Sequence, residues 1–304
     1  MEETSQLMRS LLAGDRRSLA KVITLIESSN TESDVRDYVI ETIFSQKINS
    51  KFIGFSGPPG VGKSTVIQTF GKHLLGHGHK VAVLAVDPSS PVGGGSILGD
   101  KTRMAEIAAD ENVFVRPSPS MGYLGGLTSQ TYLSQLLCAI AGYKYVLIET
   151  VGVGQSEVEA SRIVDLFVAL SLPNSGDALQ GIKKGILEIA DIIAINKADG
   201  DLLSAAERAR SELENAFQLS RGVSSREKVF LTISAVKNKG IDKLHDVIED
   251  IFAKNSGELE MRFQKILKQD LRYQDFIHAQ YIDLVRKKIS IQRFVDDFTS
   301  RVLS

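Results

Sequence analysis

Phe52-Ile53-Gly54-Phe55-Ser56-Gly57-Pro58-Pro59-Gly60-Val61-Gly62-Lys63-Ser64 joins a short apolar run to a glycine-rich turn that ends in Lys-Ser. Phe52 to Ser56 reads as a buried strand, and Thr65-Val66-Ile67 opens a helix on the far side. Between them, Gly57 to Ser64 fits the phosphate-loop pattern G-x-x-x-x-G-K-[ST] in the strand, loop and helix context that its mechanism needs. Gly57, Gly60 and Gly62, with Pro58, Pro59 and Val61 among them, let the backbone wrap a phosphate so that N–H groups face its oxygens. The helix that follows, with Thr65 in its first turn, adds its positive end. Lys63 neutralises the β and γ oxygens, and Ser64 offers a hydroxyl to Mg²⁺.

Outward from this unit, short apolar runs alternate with helical stretches from Phe52 to about Phe252. Strands are expected at Phe52 to Ser56, Val81 to Val86, Val113 to Arg116, Tyr145 to Glu149, Leu166 to Leu172, Ile192 to Asn196 and Val229 to Ile233. That alternation predicts an α/β fold, a mostly parallel sheet with helices on both faces. Residues 1–48 read as a helical N-terminal extension, 49–255 as the nucleotide-binding domain, and 256–304 as a C-terminal helical segment. The stripe Phe263, Ile266, Leu267, Phe276, Ile277, Tyr281, Leu284, Val285 must be buried, on its own core or against a second copy.

A metal ion beside the phosphates needs acidic help at strand ends. Asp87 and Glu149 close two predicted strands, and Asp100 lies in the loop after the first of them. A carboxylate at the C-terminal tip of a buried parallel strand points into the ligand crevice, which favours Asp87 and Glu149. Glu149-Thr150-Val151-Gly152 has the form of a second switch, whose glycine N–H contacts the γ-phosphate. The first switch is expected within Asp87 to Thr102, where Gly93, Gly94, Gly95 and Gly99 allow movement. The position after Gly152, where some GTPases carry a water-orienting glutamine, is Val153. An apolar side chain cannot position the attacking water, so slow intrinsic hydrolysis is expected, with Gln155, an arginine or a partner completing the site.

The base is read from Asn196-Lys197-Ala198-Asp199, which follows the strand Ile192-Ile193-Ala194-Ile195 and has the N-K-x-D form. The Asp199 carboxylate accepts from both N1–H and the 2-amino group of guanine. Adenine lacks that amino group and presents an acceptor at N1. ATP would leave a desolvated carboxylate facing a lone pair, at a cost of about 1–3 kcal/mol or more, so GTP is the expected nucleotide. Ser234-Ala235 fits the companion loop whose backbone meets the guanine oxygen.

Composition excludes several classes. Lys plus Arg (36) and Asp plus Glu (37) nearly cancel, so no overall field holds the chain against nucleic acid or an anionic membrane. No run approaches the roughly 18 apolar residues of a membrane span. The single cysteine, Cys138, excludes an internal disulfide and a multi-cysteine metal cage. The Met-Glu-Glu start lacks a basic, apolar leader, and with the cysteine count it points to a cytoplasmic protein.

Longer strings resemble one family, the MeaB/ArgK-like G proteins that serve as chaperones of adenosylcobalamin-dependent methylmalonyl-CoA mutase. They are Leu11-Leu12-Ala13-Gly14-Asp15-Arg16-Arg17, Ala85 to Ser90 (AVDPSS), Gly94 to Met104 (GGSILGDKTRM), Arg116 to Ser120 (RPSPS), Glu149 to Glu157 (ETVGVGQSE) and Gly181 to Gly185 (GIKKG). The resemblance runs from about residue 10 to 250. It implies a homodimer assembled through helical extensions, and a GTP cycle that gates cofactor delivery to the mutase and protects it. It also implies that Asp87, Asp100 and Glu149 surround Mg²⁺, and that Asn174 to Lys184 forms an extra switch reporting to the mutase. Two other functions compete with this reading. A nickel-delivering GTPase would use His73, His77 and His79, whereas an ATP-using energy subunit of an amino-acid transporter conflicts with Asn196 to Asp199.

Overall fold

The computed structural model describes residues 2–28, 31–87, 104–119, 126–150, 156–173, 184–220 and 227–266. Seven parallel strands form one sheet: β1 (Lys51–Ser56), β2 (Val81–Asp87), β3 (Val113–Pro119), β4 (Tyr145–Glu149), β5 (Leu166–Ser171), β6 (Ile192–Ile195) and β7 (Val229–Thr232). Their spatial order is β3-β2-β4-β1-β5-β6-β7. β1, β4, β5 and β6 are buried at nearly every position because the sheet is covered on both faces.

All seven predicted strands are present. Two run past their expected ends: β2 by one residue, to Asp87, and β3 from Arg116 through Pro117 to Pro119. Prolines donate no ladder hydrogen bond, and they are tolerated here because β3 is the edge strand, bonded on one side only to β2.

The helices among the described residues are α1 (Glu2–Leu12), α2 (Arg16–Glu27), α3 (Ser33–Phe44), α4 (Lys63–Gly76), α5 (Ala105–Ala108), α6 (Gly126–Ile140), α7 (Ser156–Ile163), α8 (Lys184–Ile189), α9 (Leu203–Ser220) and α10 (Ile241–Ile266). No described helix is long and apolar enough to cross a membrane.

Residues 1–249 form one compact unit and residues 250–304 a second. The first unit takes in the N-terminal helices. α2 begins at Asp15, whose carboxylate accepts from the Ser18 backbone N–H at 2.7 Å and the Ser18 hydroxyl at 2.6 Å, a helix N-cap. It buries Leu19, Val22, Ile23 and Ile26, each worth roughly 1.5–3 kcal/mol of apolar burial. Glu27 at its end pairs with Arg116 of β3, and Arg16 Nη2 donates to the Ala108 carbonyl at 3.3 Å. Cys138 of α6 is a free, fully buried thiol whose pKa burial pushes up, consistent with a core role.

Candidate nucleotide-binding site

β1 lies at the centre of the sheet with β4 on one side and β5 on the other. The chain visits the β2 side first and the β5 side later, so strand connections diverge around β1 and open a crevice at its C-terminal end. There β1 pairs Phe55 with Glu149 and Ser56 with Ala169.

The phosphate loop leaves β1 at this crevice and enters α4 at Lys63. Gly60 and Gly62 adopt left-handed backbones at φ 77° and 92°, which a side chain would strain. Gly57 is a close-approach position: a Cβ there would come 2.6 Å from the Leu170 carbonyl oxygen. Val61 is fully buried, Pro58 is half-buried and Pro59 is exposed. Lys63 Nζ donates to the carbonyls of Gly57 at 2.8 Å and Pro58 at 3.3 Å, so the ammonium is held over the loop. Thr65 is exposed in the first turn of α4.

The structure brings Ser64 and Glu149 together: Ser64 Oγ donates to Glu149 Oε1 at 2.8 Å. Glu149 ends β4, and the next residue is fixed by two bonds, since the Thr150 N–H and hydroxyl both donate to the Phe55 carbonyl at 3.0 and 3.3 Å. Asp87 ends β2, two residues past the position paired with Glu149, but its side chain lies outside those described. Asp100, Gly152, Val153 and Gln155, the glycines of the expected first switch, and 174–183 of the expected extra switch also lie outside the described residues.

Two further loops complete the crevice. After β6, Asn196 is buried, Lys197 takes a left-handed backbone at φ 61°, and Asp199 is half-buried. After β7, Ser234 and Ala235 are buried in a turn closed by Ser234 N–H to Lys239 O and Lys239 N–H to Ser234 O, both 3.0 Å. The Ser234 hydroxyl donates to Asp199 Oδ2 and accepts from the Lys237 N–H at 3.2 Å, which orients the carboxylate.

Asn196 has a role that residue type alone does not reveal. Its Nδ2 donates to the Val61 carbonyl in the phosphate loop at 2.8 Å, and its Oδ1 accepts from the Ala235 N–H at 3.2 Å. One amide therefore ties three loops together. Thr69 Oγ1 of α4 adds a bond to the Ala235 carbonyl at 3.1 Å. Sequence reasoning placed Ser234 only as a backbone contact and missed its hydroxyl. A serine beginning a tight turn is the available signal, because its hydroxyl serves neighbouring polar groups.

The arrangement holds hard oxygen donors beside a phosphate-type loop and an oriented carboxylate at the base end. The family model described as "Methylmalonyl Co-A mutase-associated GTPase MeaB" matches residues 19–289. The chain is 44% identical to GTPase ArgK of Escherichia coli over 267 residues, covering 87% of this chain and 80% of that protein. It is also 44% identical over 274 residues to the mitochondrial methylmalonic aciduria type A homolog of Mus musculus, covering 85% and 66%. A solved LAO/AO transport system kinase superposes with a TM-score of 0.74 at 31% identity, covering 100% of this chain and 99% of that one. Nickel-bound HypB from Helicobacter pylori, at 16% identity, TM-score 0.51 and coverage of 72% and 94%, shares the fold alone. A family match across most of the length, joined to relatives of this identity and coverage, shows that the chain belongs to the MeaB family of GTPases.

Proposed function

We propose that this GTPase is guanine-selective and serves an adenosylcobalamin-dependent mutase of the methylmalonyl-CoA type, gating cofactor loading and protecting the mutase. The carrying observation is the link from base loop to phosphate loop: Asp199 is oriented by Ser234, and Asn196 bonds both Ala235 and Val61. A guanine held at Asp199 is thereby coupled mechanically to the backbone that grips phosphate. The client is drawn from the family to which the chain belongs.

In this reading Gly57 to Thr65 cradle the phosphates, Lys63 neutralises them, and Asn196, Lys197, Asp199, Ser234 and Ala235 form the base pocket. Ser64 and Glu149, 2.8 Å apart, are a hard-oxygen donor pair that suits Mg²⁺, with Asp87 and Asp100 as the remaining candidates. Bound there, Mg²⁺ would neutralise charge developing on the phosphate oxygens. Gly152 contacts the γ-phosphate, and Gln155 is the candidate to orient water where Val153 cannot, so unassisted hydrolysis is slow. The protein works as a cytoplasmic homodimer assembled through residues 256–304, with 174–184 reporting nucleotide state to the mutase.

Pull-down of a corrinoid-dependent mutase tests the reading, comparing GDP with a non-hydrolysable GTP analogue. Nucleotide-dependent capture and longer holo-mutase lifetime are expected. Equal behaviour in both nucleotide states overturns the chaperone role, and ATP competing as well as GTP overturns the base assignment.

A further inference from the structure

The C-terminal turns of α4 hold a cluster that the nucleotide site does not use. His73 lies in the last turns of this helix, roughly 15 Å along it from Lys63 at 1.5 Å per residue, and His77, four residues on, is its C-cap. From α10 comes His245, and the three residues can present ligating nitrogens all within 4.8 Å of one another. His73 Nε2 is 3.1 Å from His245 Nδ1. Two imidazoles on one tetrahedral zinc-type ion would place their nitrogens about 3.3 Å apart, so this pair is already near ligating distance.

Hydrogen bonds fix which nitrogen of each ring is available. The Tyr145 hydroxyl donates its one proton to Glu249 Oε1 at 2.7 Å, and Glu249 is paired with Lys51. Toward His245 Nε2, 3.1 Å away, the phenol oxygen is therefore the acceptor. His245 thus carries its proton on Nε2 and turns the Nδ1 lone pair toward His73. His77 Nδ1 is 2.8 Å from the His73 carbonyl, which only accepts, so His77 keeps its lone pair on Nε2. The proton between His73 Nε2 and His245 Nδ1 belongs to His73. A shift of that proton to Nδ1 of the same ring frees the third lone pair.

We propose that His73, His77 and His245 form a three-imidazole site for a divalent transition-metal ion of the zinc type, clamping the end of α4 to α10. The chain Lys51, Glu249, Tyr145, His245 supplies the outer support that orients histidine ligands in metal sites. Asp242 and Asp246, whose charges act on His73, add a favourable field for a cation. Burial foremost lowers the pKa of His73 and of His245, which favours neutral rings. His77 is exposed and leaves the fourth position open to solvent. Without an ion, the same residues would be a packed ring cluster, with His73 lying parallel to Phe70 at 6.5 Å and edge-on to His245 at 5.0 Å.

The untagged full chain is titrated with Zn²⁺ against a chromophoric chelator in excess Mg²⁺, and with Co²⁺ read by visible absorption. One ion per chain and the intense absorption of tetrahedral Co²⁺ are expected. His77→Ala and His245→Gln should each weaken Zn²⁺ by more than about 100-fold, and Tyr145→Phe by about 10–100-fold, the usual effect of outer-shell loss. Glu149→Gln should bind Zn²⁺ as the parent does, which separates this site from the nucleotide crevice. His77 is exposed, so its variant retains the fold by circular dichroism even where His245→Gln does not. Absence of one-to-one Zn²⁺ binding, unchanged affinity in His77→Ala, or loss of binding in Glu149→Gln overturns the proposal.

Discussion

Replacing Asn196 with alanine tests whether base loop and phosphate loop form one unit. The substitution strips the partner from two backbone groups, the Val61 carbonyl at 2.8 Å and the Ala235 N–H at 3.2 Å. An orphaned buried group costs about 1–3 kcal/mol. Because Asn196 is only 3% exposed, water reaches the gap poorly, yet the volume lost admits some relaxation. Taking the low end for each group gives a loss of about 2 kcal/mol in unfolding free energy. The same penalty enters nucleotide affinity to the extent that the loops must be drawn back together on binding, and 2 kcal/mol is about 30-fold in Kd. Asn196→Asp keeps the acceptor for Ala235 but sets an oxygen against the Val61 carbonyl, so it should weaken binding more than alanine does. Urea unfolding and fluorescent-GDP titration measure both quantities. GDP affinity within threefold of the parent in Asn196→Ala, or tighter binding by Asn196→Asp than by Asn196→Ala, refutes the coupling.

Asp199→Asn should weaken GTP by about 5- to 150-fold, the equivalent of about 1–3 kcal/mol, and should favour xanthosine triphosphate, whose C2 carbonyl accepts from the new amide; competition binding reads both. Ser64→Ala removes the hydroxyl bonded to Glu149, and it should abolish the Mg²⁺ dependence of GTP retention while leaving Mg²⁺-free GDP binding intact, measured by nucleotide release with and without chelator. At the N-cap of α2, hydrogen bonds from the Ser18 hydroxyl and backbone N–H hold the Asp15 carboxyl below the ordinary aspartate range. The folded state therefore favours the charged form, so the stability advantage over Asp15→Ala is full at neutral pH and shrinks as pH falls below about 4, which denaturant midpoints at pH 7 and pH 3 will show.

The strands were readable because a sheet covered on both faces demands uninterrupted apolar runs such as Tyr145 to Ile148 and Ile192 to Ile195. The far end of β3 is not legible in the sequence, since Pro117 argues against a ladder and only the sheet order makes β3 an edge. Periodicity marks the helical character of residues 1–48 but not their docking, which adds to the buried face of α2 contacts distant in sequence, such as Glu27 with Arg116 across 89 residues. In the site, motif chemistry named Lys63, Ser64, Glu149, Asn196 and Asp199, since each motif encodes a local backbone shape. What it could not encode is where a side chain turns once loops distant in sequence converge. For the same reason the sequence does not group His245 with His73 and His77, since it lies 172 residues from His73 along the chain.

Gly62 makes the physical reason for that convergence concrete. It is the N-cap of α4 at φ 92°, and a Cβ there would lie 2.8 Å from Asn196 Nδ2. The same absence of a side chain therefore meets two demands, a left-handed turn into the helix and close passage of the base-loop amide. A phosphate loop needs only the first. The second follows from placing Asn196 against the loop backbone, so phosphate grip and base selection share this glycine and amide instead of standing as separable modules. That contact explains why a change confined to the base loop is expected to register in the phosphate loop, with no movement of the sheet between them.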